Sequence, residues 1–386
     1  MKKVILKKTI KKIHLWLGLS SGIIVFILGV TGCLYVFEEE LRPMVHNYYT
    51  IDKVEGEPLP LSELFLITND TLTSINQKPA TFVKVSNKIE NTILFRSIER
   101  DTAANSIWYW DEIKIMNTYV NPYNGKIVEI ENLNKEFFRI VFMLHWSLML
   151  KNDIGQPIVG IATIIFVIML ITGIVLWWPK NKAARKQRVR FRWKNTTKWK
   201  RKNYDLHNIL GFYSMFLVLF IALTGLVWAF DWFNNSVQWV ANGGKTIETK
   251  QVVYQSDSLK TAQLDPIDEV YEYLKTHHSK AENYFISLPQ NNSATYTTFV
   301  NYFNGRTQDI QIYFGQYSGE PLSKATWKDK NNGEKIRSIN YDIHIGSILG
   351  FPGKIIAFCL SLIAASLPIT GFLIWWGRKK KKKKGK

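Results

Sequence analysis

Four long apolar stretches constrain this chain more than anything else in its 386 residues. Residues 15–37 run for 23 positions without a charge, 158–178 for 21, 206–230 for 25 and 355–376 for 22. About 20 apolar residues wound as an α-helix cross the roughly 30 Å hydrocarbon core of a bilayer. No water is available there to bond the backbone, so each stretch must satisfy its own amides as a helix. The chain is therefore read as an α-helical membrane protein with four transmembrane helices. The first stretch is too long, and too poor in small residues for cleavage, to be a removable signal peptide.

Charge sets the orientation. The 1–12 tail carries six lysines, residues 179–205 carry twelve Lys or Arg against one acid, and the tail from Arg378 carries eight more basic residues. These segments hold 26 of the chain's 50 basic residues and one of its 31 acids. Basic segments next to spans stay in the cytoplasm. The expected layout is a cytoplasmic tail (1–12), a first span (13–37), an outer module (38–140), and a pre-span segment with the second span (141–178). A basic cytoplasmic loop (179–205), a third span (206–230) and a second outer module (231–340) follow. A pre-span segment with the fourth span (341–377) and a basic cytoplasmic tail (378–386) complete it. The lysine-rich tail suits retention and contact with anionic lipid rather than nucleic acid. Cys33 and Cys359 both fall in apolar spans, outside any Cys-x-x-Cys pattern. They give no support to a disulfide scaffold, a zinc site or c-type haem attachment.

The organisation repeats. His14, Leu17, Gly18, Ser21, Thr31 and Gly32 align without a gap on His207, Leu210, Gly211, Ser214, Thr224 and Gly225. Each even-numbered span follows an apolar segment containing a histidine and a Gly-x-Pro break (Gly155 to Pro157, Gly350 to Pro352). Each of these spans ends in Ile-Thr-Gly and then a Trp pair, Trp177–Trp178 or Trp375–Trp376, read as interfacial anchors. The expected architecture is two parallel helix–outer module–helix repeats, related by an axis along the membrane normal. The outer regions read as small α+β modules. Ile267, Val270, Tyr271 and Leu274 share one face of a predicted helix, and strand-like runs at 282–289, 294–303 and 307–315 follow.

Seven histidines are present. His46, His277 and His278 fall in the outer regions and read as ordinary surface residues. The other four are distributed one per span. His14 and His207 open outward-running helices near the cytoplasmic face, whereas His145 and His344 precede inward-running helices near the outer face. Two sided pairs of imidazoles suit bis-histidine ligation of b-type haem, whose iron takes one imidazole on each axial face. Gly18 and Gly211 lie one turn beyond their histidines on the same helical face. Gly32 and Gly225 lie 18 residues beyond them, five full turns. Glycine at these points leaves room for a flat macrocycle. Zinc would need a third donor at each pair, and a proton relay would favour acids inside the spans. Neither feature is seen. Lys11, Lys12, Arg201 and Lys202 are placed to meet propionates, although topology alone explains them.

The segments "LHWSLML", "GQPIVG", "ITGIVLWWP" and "HLWLGL", with the Pro-Tyr-Asn-Gly and Tyr-Ser-Gly turns, resemble the PepSY-associated transmembrane family of iron-regulated bacterial membrane proteins. The resemblance spans nearly the whole chain. It implies two periplasmic PepSY-like modules and the bacterial inner membrane, with His14, His145, His207 and His344 as ligands of two haem b groups. It further implies an oxidoreductase that moves electrons to a ferric siderophore or a similar periplasmic ferric chelate for iron acquisition. No dinucleotide-binding fingerprint is present, so the donor would be a quinol or a separate cytoplasmic reductase. The alternatives are a non-enzymatic sensor or binding protein, and a transporter of haem or ferric chelate.

Overall fold

The computed structural model describes residues 2–51, 56–179, 181–247, 254–257, 262–302 and 307–384. The chain begins with helices α1 (Lys2–Tyr35), α2 (Glu38–Val45) and α3 (Leu61–Ser74). Strands β1 (Phe82–Ser86) and β2 (Ile93–Arg100), the single turn α4 (Tyr109–Glu112), and strands β3 (Ile113–Val120) and β4 (Ile127–Asn132) follow. Next come α5 (Phe137–Ser147), α6 (Asn152–Trp177), α7 (Lys182–Arg188), α8 (Trp199–Ala229), α9 (Asp231–Ala241) and α10 (Pro266–His277). Strands β5 (Asn283–Ser287), β6 (Thr295–Asn301), β7 (Ile310–Gly315) and β8 (Pro321–Ala325) lead to α11 (Asn332–Ile345) and α12 (Gly350–Lys384). Phe303, at the end of one strand-like run, and the side chains after Arg378 lie outside the described residues.

Two compact units result, each assembled from separate parts of the chain. The first is a helical bundle. Among the described residues four helices are long and apolar enough to cross a membrane, in α1, α6, α8 and α12. Its outward face carries Ile23, Phe216, Phe220 and Leu362, all exposed. A bundle that turns such residues outward is solvated by lipid, not water. Its interior is built by all four helices, from Val25, Phe166, Leu170, Met215, Val218, Ala222, Leu360 and Ala364. Helix α1 packs on α6 and α12, and α8 packs on the same two. Helices α1 and α8 therefore stand across one diagonal, and α6 and α12 across the other. Small residues set the closest approach: a Cβ on Gly29 would lie 2.8 Å from the backbone nitrogen of Ala365.

The helix breaks differ from the sequence expectation. Gly155 and Pro157 lie inside the first turns of α6, and Gly350 and Pro352 inside that of α12. In the first half the chain turns just before them, where Leu148 and Met149 adopt positive φ (56° and 66°) between α5 and α6; in the second half Gly346 (79°) and Gly350 itself (66°) make the turn. The glycines are needed for close approach. A Cβ on Gly155 would run into the Ser147 carbonyl oxygen, and one on Gly353 into that of Gly346. The tryptophans also divide. Trp178 is exposed as an interfacial anchor would be, but Trp177 is buried and stacks on Phe212 with ring centres 3.7 Å apart.

The second unit is an eight-stranded antiparallel sheet of order β4-β3-β2-β1-β5-β6-β7-β8. Each half contributes a helix followed by four strands, and the two sets meet where β1 pairs with β5, Val83 opposite Ile286. The sequence shows two modules; the structure joins them in one sheet. Helices α3 and α10 bury Leu61, Leu64, Leu72, Ile267, Val270 and Leu274 against Val83, Phe95, Tyr284, Ile286, Ile312 and Phe314. Each such side chain contributes about 2 kcal/mol on leaving water. Helix α10 starts where Asp265 accepts from the Ile267 amide and Pro266 fills the first helical position. Asp268 of α10 accepts from the amide and hydroxyl of Ser62 on α3, which ties the two helices together.

Candidate functional site

Each of the four span histidines is held by a threonine of another helix. His14 Nδ1 lies 2.9 Å from Thr172 Oγ1, and His145 Nδ1 3.0 Å from Thr31 Oγ1. His207 Nδ1 lies 2.9 Å from Thr370 Oγ1, and His344 Nδ1 2.9 Å from Thr224 Oγ1. A glycine follows every one of these threonines. A Cβ on Gly173 would lie 3.6 Å from His14 Cε1, on Gly32 3.5 Å from His145 Cε1, and on Gly225 3.5 Å from His344 Cε1. On Gly371 it would lie only 3.2 Å from His207 Cε1. Thr-Gly is thus a cup: the hydroxyl takes the ring nitrogen, and the ring edge lies against the glycine, closely enough at Gly371 that a side chain would crowd it.

The hydrogen-bond roles follow from proton counting. Each threonine hydroxyl has one proton and donates it within its own helix, Thr31 to Ile27 O (2.7 Å) and Thr172 to Ile168 O (2.8 Å). Thr224 donates to Ile221 O (2.8 Å) and Thr370 to Ser366 O (2.9 Å). The hydroxyl oxygen must then accept from Nδ1–H. The Ile221 carbonyl, 3.1 Å from His344 Nδ1, can only accept as well. In the neutral ring one nitrogen carries the proton and the other a free lone pair. All four rings therefore keep the lone pair on Nε2, the atom free to bind a metal.

The histidines occupy two levels. His14 and His207 stand on the diagonal helices α1 and α8 at one level; His145 and His344, preceding the other diagonal pair, stand at the second. Seventeen residues separate His14 from Thr31, and His207 from Thr224, about 25 Å along a helix. The apolar interior described above fills the space between. At the second level the His145 and His344 ring centres are 6.0 Å apart with planes at 70°, and Trp228 meets the His344 ring edge-on at 5.3 Å.

The predicted glycines take two roles. Gly32 and Gly225 seat histidine rings, as above. Gly18 and Gly211 face other helices: their Cβ atoms would lie 2.9 Å from Met169 Cε and 3.5 Å from Leu367 Cδ2. Thr172, Gly173, Thr370 and Gly371 join the site beyond the residues expected from sequence, and the Thr-Gly pair occurring in every span is the sequence signal that marks them. Of the basic residues near the first level, Arg201 is bound to Asp205 at 2.9 Å, and Lys202 lies over the Trp193 ring. His278 is not a surface residue: it is buried, and its Nδ1 lies 2.7 Å from the Tyr302 hydroxyl. No group of three or more His, Cys, Asp or Glu arranged for a metal ion occurs among the described residues. The sheet unit contains an open cleft of about 590 Å³, with Lys78, Thr81, Arg100 and Gln290 on its walls.

Four lipid-facing helices around a histidine-bearing interior define a multi-span membrane protein. The family model described as the PepSY-associated TM region matches residues 11–378. The chain belongs to that family. No curated protein matches it.

Proposed function

We propose that the chain carries electrons across the bacterial inner membrane to a ferric chelate, such as a ferric siderophore, on the periplasmic side. His14 with His207 and His145 with His344 would each hold one haem b. The carrying observation is that four imidazoles, in two diagonal pairs, all present an unprotonated Nε2. The spacing of the second pair supports the fit. The His145 and His344 ring centres are 6.0 Å apart, so both imidazoles would reach a single metal through bonds of about 2 Å. One turn before His207, the buried Asn203 Oδ1 has no protein partner, and buried polar atoms require one.

When bound, haem b supplies a one-electron ferric/ferrous couple. The chain's own residues do the rest. The Thr-Gly cups fix the rings in one tautomer, which orients the ligand and raises its basicity. The apolar layer between the levels excludes water. The basic segments hold both termini and the 179–205 loop in the cytoplasm, so the first level faces the donor side. The cleft carries Lys78 and Arg100 against the single acid Glu99, a net positive lining that suits an anionic chelate, and reduction of its iron weakens the hold of hard oxygen ligands. The donor is a quinol or a separate reductase.

The test is a spectrum of the purified protein. A reduced-minus-oxidised signal of b type with about two haems per chain is expected. A colourless preparation from haem-replete cells would sink this reading and leave a sensor or binding protein in its place.

A further inference from the structure

The pentapeptides at 203–207 (NYDLH) and 340–344 (NYDIH) are the same device placed twice in the second half of the chain. The buried Asn203, one turn before His207, donates from Nδ2 to the Thr370 backbone carbonyl at 3.0 Å. The buried Asn340, one turn before His344, donates to the Thr224 carbonyl at 3.1 Å. In both cases this is the threonine whose hydroxyl takes the histidine. One threonine is thus gripped at its carbonyl and its hydroxyl by two side chains a turn apart. Such a double clasp stops the histidine's helix from both sliding and rotating against its neighbour. The first half has no counterpart, since the residues one turn before His14 and His145 are Ile10 and Val141, neither able to hydrogen-bond.

Each proposed pair contains one histidine from each half. Resting on the two-haem reading, we infer that the centres are asymmetric. His207 and His344 are the anchoring ligands, and His14 and His145 are the exchangeable ones, marking where a small neutral ligand such as carbon monoxide or imidazole enters. The physical reason is cost. Releasing a ring whose backbone is pinned means breaking two buried hydrogen bonds, whereas a ring held by its cup alone swings away after losing its hold there.

The experiment compares His→Ala variants at all four positions in the full chain, by haem content per chain and by carbon monoxide difference spectra of the reduced protein. H14A and H145A are expected to keep about two haems, with one centre now binding carbon monoxide. H207A and H344A are expected to lose about one haem. N203L and N340L, which keep every histidine, leave both ligands of a centre held by their cups alone, so carbon monoxide binding should rise about twofold over the unaltered chain as a second equal route opens. Equal retention, equal loss, or the reverse order among the histidine variants overturns the asymmetry while leaving the two-haem reading intact. Leucine variants no more reactive than the unaltered chain overturn it too. An unaltered chain without haem overturns both.

Discussion

Less than half an ångström matters at the histidine cups because their walls are backbone. At Gly371 an added methyl would stand 3.2 Å from the His207 ring carbon, while at Gly173 the same methyl would stand 3.6 Å from that of His14. The first distance is tighter than van der Waals contact and the second is ordinary. Gly371→Ala must therefore push the imidazole or separate α12 from α8, at about 1–3 kcal/mol. Gly173→Ala should cost well under 1 kcal/mol, because a methyl in ordinary contact adds packing without strain. Thermal unfolding in detergent, followed by the loss of helical signal, checks the contrast. Equal melting temperatures for the two variants would show that the cups are looser than drawn. At this scale the sequence was informative about the histidines and silent about their partners. A threonine inside a span reads equally as a helix-packing residue. Only the pairing of helices reveals that its oxygen faces a ring.

Elements were legible wherever one periodic pattern decided them. The four spans follow from length and the lack of charge, and helix α10 from the burial of Ile267, Val270 and Leu274 on one face. Where two readings compete locally, pattern alone fails. Trp177 and Trp178 are neighbours of one type, and only α8 packing on α6 turns the first inward. The end of α10 carries a further consequence. His278 caps it, buried, with Nδ1 on the Tyr302 hydroxyl and Nε2 without a hydrogen-bond partner. Burial, and then the nearby charges of Lys324 and His277, hold its pKa below the usual histidine value. The folded chain therefore binds a proton here less readily than the unfolded chain. Stability contributed by the neutral ring is complete above about pH 6.5 and is lost as pH falls below it. His278→Gln should flatten the fall in melting temperature across that range. An unchanged slope would assign it to other groups.

For the molecule as a whole, the strand order is what sequence could not supply. Alternation identifies a strand and its buried face, but not which edge meets which across some two hundred residues. Val83 and Ile286 are both wholly buried and face each other at the β1–β5 seam. Val83→Asp would bury a charge with no partner there and destabilise the sheet unit by about 3 kcal/mol or more. Limited proteolysis should then cut within 82–86 and 283–287 while the bundle stays intact. Resistance equal to that of the unaltered chain would mean that the seam is dispensable.

That seam also dictates a timetable. Strand β1 emerges from synthesis long before β5 exists, and two further spans must be threaded through the bilayer in the interval. Until then the first four strands present β1 as a bare backbone edge, of the kind that recruits stray chains. Any pause in translation between β1 and β5 lengthens that exposure.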